Sequence, residues 1–86
     1  MSAEITETAR AAALSVVRRK AVEAVRYDRD VLKKQTNFAT LRPQAIFADE
    51  VGCSRRDLTG ADQVLASDAW RTAYLSEWPD SEWPSP

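Results

Sequence analysis

The chain has 86 residues, of which 44% are hydrophobic and 29% are charged, and its formal net charge is −1. A chain of this length forms at most one domain, and a charge so close to zero gives no general attraction to nucleic acid or to membranes. The absence of histidine and the single cysteine exclude the usual zinc ligand sets and any disulfide within the chain.

The sequence also predicts where the protein resides. No apolar run approaches the roughly 20 residues of a membrane span, and the N-terminus lacks the charged and apolar regions of a signal peptide. We therefore expect the whole chain to be the mature protein, soluble and cytoplasmic. Because much of its hydrophobic content is alanine, we expect a thin core, which a partner or a second copy of the chain would help to stabilise.

The first predicted helix is long and amphipathic. The chain has only two glycines and its four prolines lie outside the apolar-periodic stretches, which favours an all-α fold. The first helix runs from about residue 4 to about residue 34. Its apolar face comprises Leu14, Val17, Ala21, Ala24, Val25, Val31 and Leu32. Its length is compatible with a homodimer formed through this helix.

Asp28 falls within this apolar face. Two interpretations are open: the carboxylate makes a buried polar contact, or the helix loosens between Tyr27 and Asp30 so that the carboxylate reaches water. Because unpaired buried carboxylates are strongly disfavoured, we favour the second interpretation.

A linker and a short second helix are predicted next. Residues 35–42 contain poor helix formers and are expected to form the linker. Pro43 suits the first turn of a helix over residues 43–51, and Gly52 is expected to end that helix with a left-handed backbone conformation. The residues predicted to point inward are Ala45, Ile46, Phe47 and Val51.

The last helical region, about residues 54–76, has two start signals. The segments Ser54–Asp57 and Thr59–Asp62 each place an acidic residue three positions after a serine or threonine. They predict either one helix from Arg55 onward or a short turn followed by a longer helix from Gly60. The inward residues are predicted to be Val64, Leu65, Ala69, Trp70 and Ala73 with Tyr74 or Leu75.

The string FADEVGCSRRDL, Phe47 to Leu58, resembles the helix-turn-helix of bacterial and phage DNA-binding proteins. In that motif a small residue, three others and a glycine precede a short turn and a second helix. The resemblance implies that Ala48 lies where the two helices cross. It also implies that the second helix meets DNA through Ser54, Arg55 and Arg56.

Two features oppose DNA recognition. Thr59 and Gly60 interrupt the helix that would enter the major groove, and five acidic residues lie close to the two arginines in the sequence. The alternative interpretation is that Ala48 and Gly52 simply allow tight helix packing in a small bundle.

The chain ends in SEWPDSEWPSP, in which Ser-Glu-Trp-Pro occurs twice: Ser76–Pro79 is the first repeat and Ser81–Pro84 is the second. The prolines disfavour helix and strand, so we predict an extended acidic tail, residues 77–86, after a helical domain of residues 1–76. Each repeat places a large ring beside a carboxylate. The candidate protein-binding residues are Glu77, Trp78, Glu82 and Trp83.

Three interpretations of the tail remain open. Trp78 packs on the protein's own core while Trp83 stays free, both rings dock on another protein, or the tail is disordered filler. If the rings dock, the partner is expected to offer a basic surface that accepts aromatic side chains.

The residues do not assemble into an active site, so we predict no catalytic residue, cofactor or metal site. Cys53 is the only plausible nucleophile, but it lacks a general base and is expected to be structural. The sequence favours a non-enzymatic protein that binds another protein, as an adaptor, assembly factor or inhibitor. The alternative is a helix-turn-helix DNA-binding regulator of phage or mobile-element origin.

Overall fold

The computed structural model describes residues 5–34 and 41–79. Within these residues there are three α-helices and no strand: α1 spans Glu7–Tyr27, α2 spans Leu41–Val51 and α3 spans Gly60–Glu77. The predicted all-α fold class is confirmed. None of these helices is long and apolar enough to cross a membrane.

Helix α1 begins with a side-chain cap and ends in a wider turn. The hydroxyl of Thr6 accepts a hydrogen bond from the backbone N–H of Ala9 at 3.1 Å. A single π-turn, Asp28–Leu32, follows α1. Its wider spacing rotates Val31 and Leu32 away from the core, leaving them 60% and 37% exposed. The prediction that these two residues are buried is therefore wrong.

Helix α2 begins two residues earlier than predicted, which still leaves Pro43 in its first turn, where no backbone donor is needed. Gly52 follows the helix with a φ of +80°, as predicted. The buried residues Pro43, Phe47 and Ala48 define the inward face, which turns Ala45 toward solvent. The predicted burial of Ala45 is therefore wrong.

The region before α3 distinguishes between the two structures that the start signals predict. The hydroxyl of Ser54 caps a short 3₁₀ turn, Arg55–Asp57, and the hydroxyl of Thr59 accepts from the N–H of Asp62 at 3.2 Å to cap α3 itself. The prediction of a short turn followed by a longer helix from Gly60 is thus confirmed.

Helix α3 buries its small residues and two aromatic rings. Its inward hydrophobic residues are Ala66, Ala69, Trp70, Ala73 and Tyr74. Val64 and Leu65 are 58% and 41% exposed, so the prediction that they point inward is wrong. The alanines follow one stripe of the helix and let α1 approach closely, which leaves the two larger aliphatic residues outside.

Contacts at both ends show that α1 and α3 run parallel. The Arg10 guanidinium lies 2.8 Å from the Asp62 carboxylate, near the start of both helices. The Tyr74 hydroxyl lies 2.8 Å from the Asp28 carboxylate, near the end of both. Two helices pack parallel when the element that joins them runs in the opposite direction.

Helix α2 is that intervening, antiparallel element. Near its start, the Arg42 guanidinium lies 5.4 Å from the centre of the Trp70 ring, a cation–π contact. Two residues later along α2, Gln44 donates a hydrogen bond to Ser67, which is earlier in α3. From the first contact to the second, the residue number rises in α2 and falls in α3, so the two helices are antiparallel.

The core between the three helices is rich in alanine. It comprises Ala13, Val17, Ala21, Ala24, Phe47, Ala48, Leu58, Ala66, Ala69, Trp70 and Ala73. Because alanine buries little area, Phe47 and Trp70 supply much of the buried volume, in agreement with the thin core predicted from composition. The apolar face of α1 lies inside this core rather than at a surface.

Candidate functional site

The first repeat lies where the ends of α1 and α3 meet. Glu77 is the last residue of α3, and its carboxylate accepts a hydrogen bond from Arg26 at 3.1 Å. Its second carboxylate oxygen is 4.0 Å from a guanidinium nitrogen of Arg29. The same nitrogen of Arg29 donates to the backbone carbonyl of Glu77 at 2.8 Å. Two arginines of the first helical segment thus hold the first glutamate of the tail.

Arg29 is itself oriented by its neighbour. Its guanidinium donates to both carboxylate oxygens of Asp30, at 2.9 and 3.3 Å. The hydrogen bond with Asp30 raises the pKa of Arg29, and the same bond lowers the pKa of Asp30. Arg29 therefore stays charged, and its guanidinium is oriented by Asp30 beside Glu77.

Trp78 packs on the end of α3. Its backbone N–H donates to the carbonyl of Tyr74 at 3.1 Å, which keeps it on the path of the helix. Its ring centre lies 6.5 Å from that of Tyr74, with an angle of 30° between the planes. Trp78 therefore packs on the chain's own core, as the first interpretation of the tail predicts for this residue.

Beneath Trp78 lies a buried polar pair. The Tyr74 hydroxyl donates to the Asp28 carboxylate at 2.8 Å, and both residues are fully buried. Burial raises the pKa of Tyr74, and the hydrogen bond with Asp28 and the negative charge of its carboxylate add to that rise. Tyr74 therefore stays protonated and donates to Asp28, and its ring provides the surface on which Trp78 packs.

The burial of Asp28 corrects our preferred prediction that its carboxylate reaches water. The helix does widen there, because the π-turn begins at Asp28, but the widened turn keeps the side chain inside. The other interpretation, a buried polar contact, is confirmed. Tyr74 supplies a hydrogen bond that offsets part of the cost of burying this carboxylate.

The second repeat, with Glu82 and Trp83, lies outside the described residues. Its composition matches that of the first repeat residue for residue, Ser-Glu-Trp-Pro in both cases. The contacts in the structure are those of the first repeat alone: arginine side chains contact the carboxylate of Glu77 and an aromatic ring contacts the indole of Trp78.

The candidate DNA-binding residues lie between α2 and α3. Ser54 caps the 3₁₀ turn through its hydroxyl, which accepts from the N–H of Arg56 at 3.4 Å. Arg55 and Arg56 are both exposed within that three-residue turn, and Asp57 beside them is exposed as well. The turn presents two positive charges and one negative charge to solvent.

Comparison of the chain with known protein families, with curated proteins and with solved structures finds no significant match. In the described part of the chain, no three histidine, cysteine or acidic residues come close enough together to hold a metal ion.

Sequence reasoning did not identify the residues that hold the first repeat. The amphipathic pattern places Arg26 and Arg29 on the polar face of the first helix, and it predicts Tyr74 only as a core residue. One signal was available: Asp28 on an apolar helical face requires a donor, and a buried tyrosine is a common one. No sequence signal pairs Arg26 with Glu77, because that contact depends on the parallel packing of α1 and α3.

Proposed function

We propose that this protein acts without catalysis by binding another protein, and that Glu82 and Trp83 of the second repeat make the contact. The observation that supports the proposal is the set of contacts of the first repeat. There, Glu77 pairs with arginine and Trp78 packs on an aromatic ring. Because other residues of the chain already contact the first repeat in this way, we propose that the second repeat makes the same kind of contact with a partner.

The same chemistry defines the partner surface. A carboxylate next to an indole fits a surface with an arginine or lysine beside an exposed aromatic side chain. Tryptophan is among the residues that contribute most to protein interfaces, because it buries a large area at a low entropic cost. The partner is thus a protein with a basic, aromatic-accepting surface, and the chain serves as an adaptor, assembly factor or inhibitor.

Site-specific photo-crosslinking tests the proposal. A photoreactive phenylalanine analogue replaces Trp83 in one preparation and the exposed Arg19 of α1 in another, and both are irradiated in lysate of cells that naturally produce the protein. We expect one defined protein to be captured from position 83 and not from position 19. Adding Glu82→Lys to the first preparation is expected to abolish that capture, because it places a cation against a basic surface.

Two results would contradict the proposal. One is capture of the same proteins from positions 83 and 19, which would indicate random collision. The other is undiminished capture after Glu82→Lys, which would show that the charge of the repeat has no role in recognition.

DNA binding is the second candidate, and the exposed pair Arg55 and Arg56 is the observation that favours it. We rank it lower because the pair lies in a single 3₁₀ turn next to Asp57, whereas recognition helices present a full helical face to the groove. Its test is a sequence-dependent gel shift that disappears when both arginines are changed to alanine. A shift that depends on salt but not on sequence would count against it.

A further inference from the structure

The outward face of α3 has a regular pattern. Five positions on it are separated alternately by three and four residues: Ala61, Val64, Asp68, Arg71 and Leu75. This is the spacing of the a and d positions that form the seam of a coiled coil. Every helical face repeats at this spacing, but on this one an acidic and a basic residue at the centre are flanked by Val64 and Leu75.

The seam points away from the core. Ala61, Val64, Asp68 and Arg71 are exposed, and Leu75 is half-buried. The hydrophobic residues that α3 buries against α1 and α2 lie on the opposite side of the helix. Neither α1 nor α2 therefore occupies the seam, and Val64 is 58% exposed on it.

The seam is self-complementary when the helix is reversed. In an antiparallel coiled coil, each a position meets a d position of the other helix. With the two-fold axis between Ala69 and Trp70, Asp68 meets Arg71 of the second copy and Val64 meets Leu75 of the second copy.

We propose that two copies of this chain associate through α3 in this antiparallel arrangement. A two-fold interface uses the same patch on both copies, so each layer occurs twice. Each of the two layers is matched: acid with base, and aliphatic with aliphatic. In a parallel arrangement Asp68 would meet Asp68 and Arg71 would meet Arg71, which places like charges together.

The interface is distinct from the proposed contact of the tail. It uses a face of α3, and none of the substitutions that test it lies in the second repeat. It also differs from a dimer formed through the first helix, because the apolar face of α1 is buried in the chain's own core. Failure of the dimer would leave the proposal for Glu82 and Trp83 untouched, and the reverse also holds.

Sedimentation equilibrium of the full chain at about 10 to 500 µM tests the inference, a range that suits a small interface between two short helices. We expect a mass near twice that of the 9.6 kDa chain at the upper concentrations. Asp68→Arg and Arg71→Asp are each expected to raise the dissociation constant by about tenfold or more, because each change creates two like-charge contacts. The double variant restores opposite charges and is expected to return the constant to within about threefold of the wild type.

A matched pair of valines provides the control. Val64 and Val31 are 58% and 60% exposed, but only Val64 lies in the seam. Val64→Asp is expected to abolish dimer formation, and Val31→Asp is expected to leave it unchanged. Far-UV circular dichroism verifies that every variant retains its helices, as expected for changes at exposed positions.

Three outcomes would overturn the inference. The chain could remain monomeric over the whole concentration range, which would indicate that something other than a second copy covers this face. The dimer could be equally sensitive to Val31→Asp and Val64→Asp. Finally, the double variant could fail to restore the association that the single charge reversals weaken, which would exclude the pairing of Asp68 with Arg71.

Discussion

Replacing Tyr74 with phenylalanine removes the hydroxyl that donates to the buried Asp28 carboxylate and leaves the rest of the ring in place. A hydrogen bond to a charged group contributes about 1.5 to 3 kcal/mol, and the loss is not regained from water because the site is buried. We therefore expect Tyr74→Phe to lower the free energy of unfolding by about 2 to 3 kcal/mol. That is a large share of the roughly 4 to 13 kcal/mol typical of a domain of this size.

The assay is urea denaturation followed by circular dichroism at 222 nm, supported by thermal melting. For a domain of this length, a loss of 2 kcal/mol corresponds to a fall in Tm of about 10 °C. Tyr27→Phe is the matched control, because Tyr27 is exposed on α1 and its change is expected to cost less than about 0.5 kcal/mol. Equal stability of the Tyr74 and Tyr27 variants would refute the reasoning.

The same tyrosine predicts a pH dependence. Burial raises the pKa of Tyr74 above its ordinary value, so in alkali the unfolded chain loses this proton before the folded chain does. The stability that Tyr74 contributes is complete below about pH 10 and declines as the pH rises above that value. The decline between about pH 9 and 11 is expected to be shallower for Tyr74→Phe. An identical alkaline slope in both proteins would contradict the assigned pKa shift.

Three further predictions concern the helix ends. Gly52→Ala is expected to lower the free energy of unfolding by about 1 to 2 kcal/mol, because the positive φ at this position disfavours a side chain although there is space for one. Gly60→Ala has both open space and an ordinary φ, so it is expected to be neutral or slightly stabilising. Urea denaturation of both variants measures the difference. Thr59→Ala removes the cap of α3 and is expected to cost about 1 kcal/mol in the same assay, and no change would show that the cap is dispensable. Arg10→Gln removes the cation from the nearly buried Asp62 carboxylate, so Tm is expected to fall in low and high salt alike, whereas a fall abolished by salt would indicate a merely superficial ion pair.

The ends of the helices were largely predictable because their signals are local. Gly52 and the two caps, Ser54 and Thr59, act on backbone groups within three residues, so their effect is present in the sequence itself. The choice between a single helix and a turn followed by a helix stayed open until the structure showed a 3₁₀ turn before α3. Both caps are used, one for each element.

The buried faces were less predictable, because they depend on packing between helices. Hydrophobic periodicity favoured Val64 and Leu65 as core residues, yet α3 buries a stripe of alanines that lets α1 approach. Asp28 in the apolar face indicated a loosened helix after Tyr27 but not its form, a π-turn, which altered the burial of Val31 and Leu32.

The contacts of the first repeat could not be predicted from the sequence for the same reason, their dependence on packing between helices. Tyr74 and Asp28 are 46 residues apart, and Arg26 and Glu77 are 51 residues apart. Both pairs meet only because α1 and α3 run parallel with their ends aligned. The sequence favours the repeat as a contact element, and the structure shows the arginine and aromatic groups that contact its first occurrence.

The affinity of the captured partner for wild-type protein and for Trp83→Ala tests the proposed function most directly. Isothermal titration calorimetry with the purified partner provides both dissociation constants, and Arg19→Ala serves as the surface control. If Trp83 is the main anchor, its loss is expected to weaken binding by about 30-fold, the equivalent of about 2 kcal/mol, with no effect of Arg19→Ala. Binding of Trp83→Ala within about twofold of the wild type would contradict the proposal that the second repeat makes the contact.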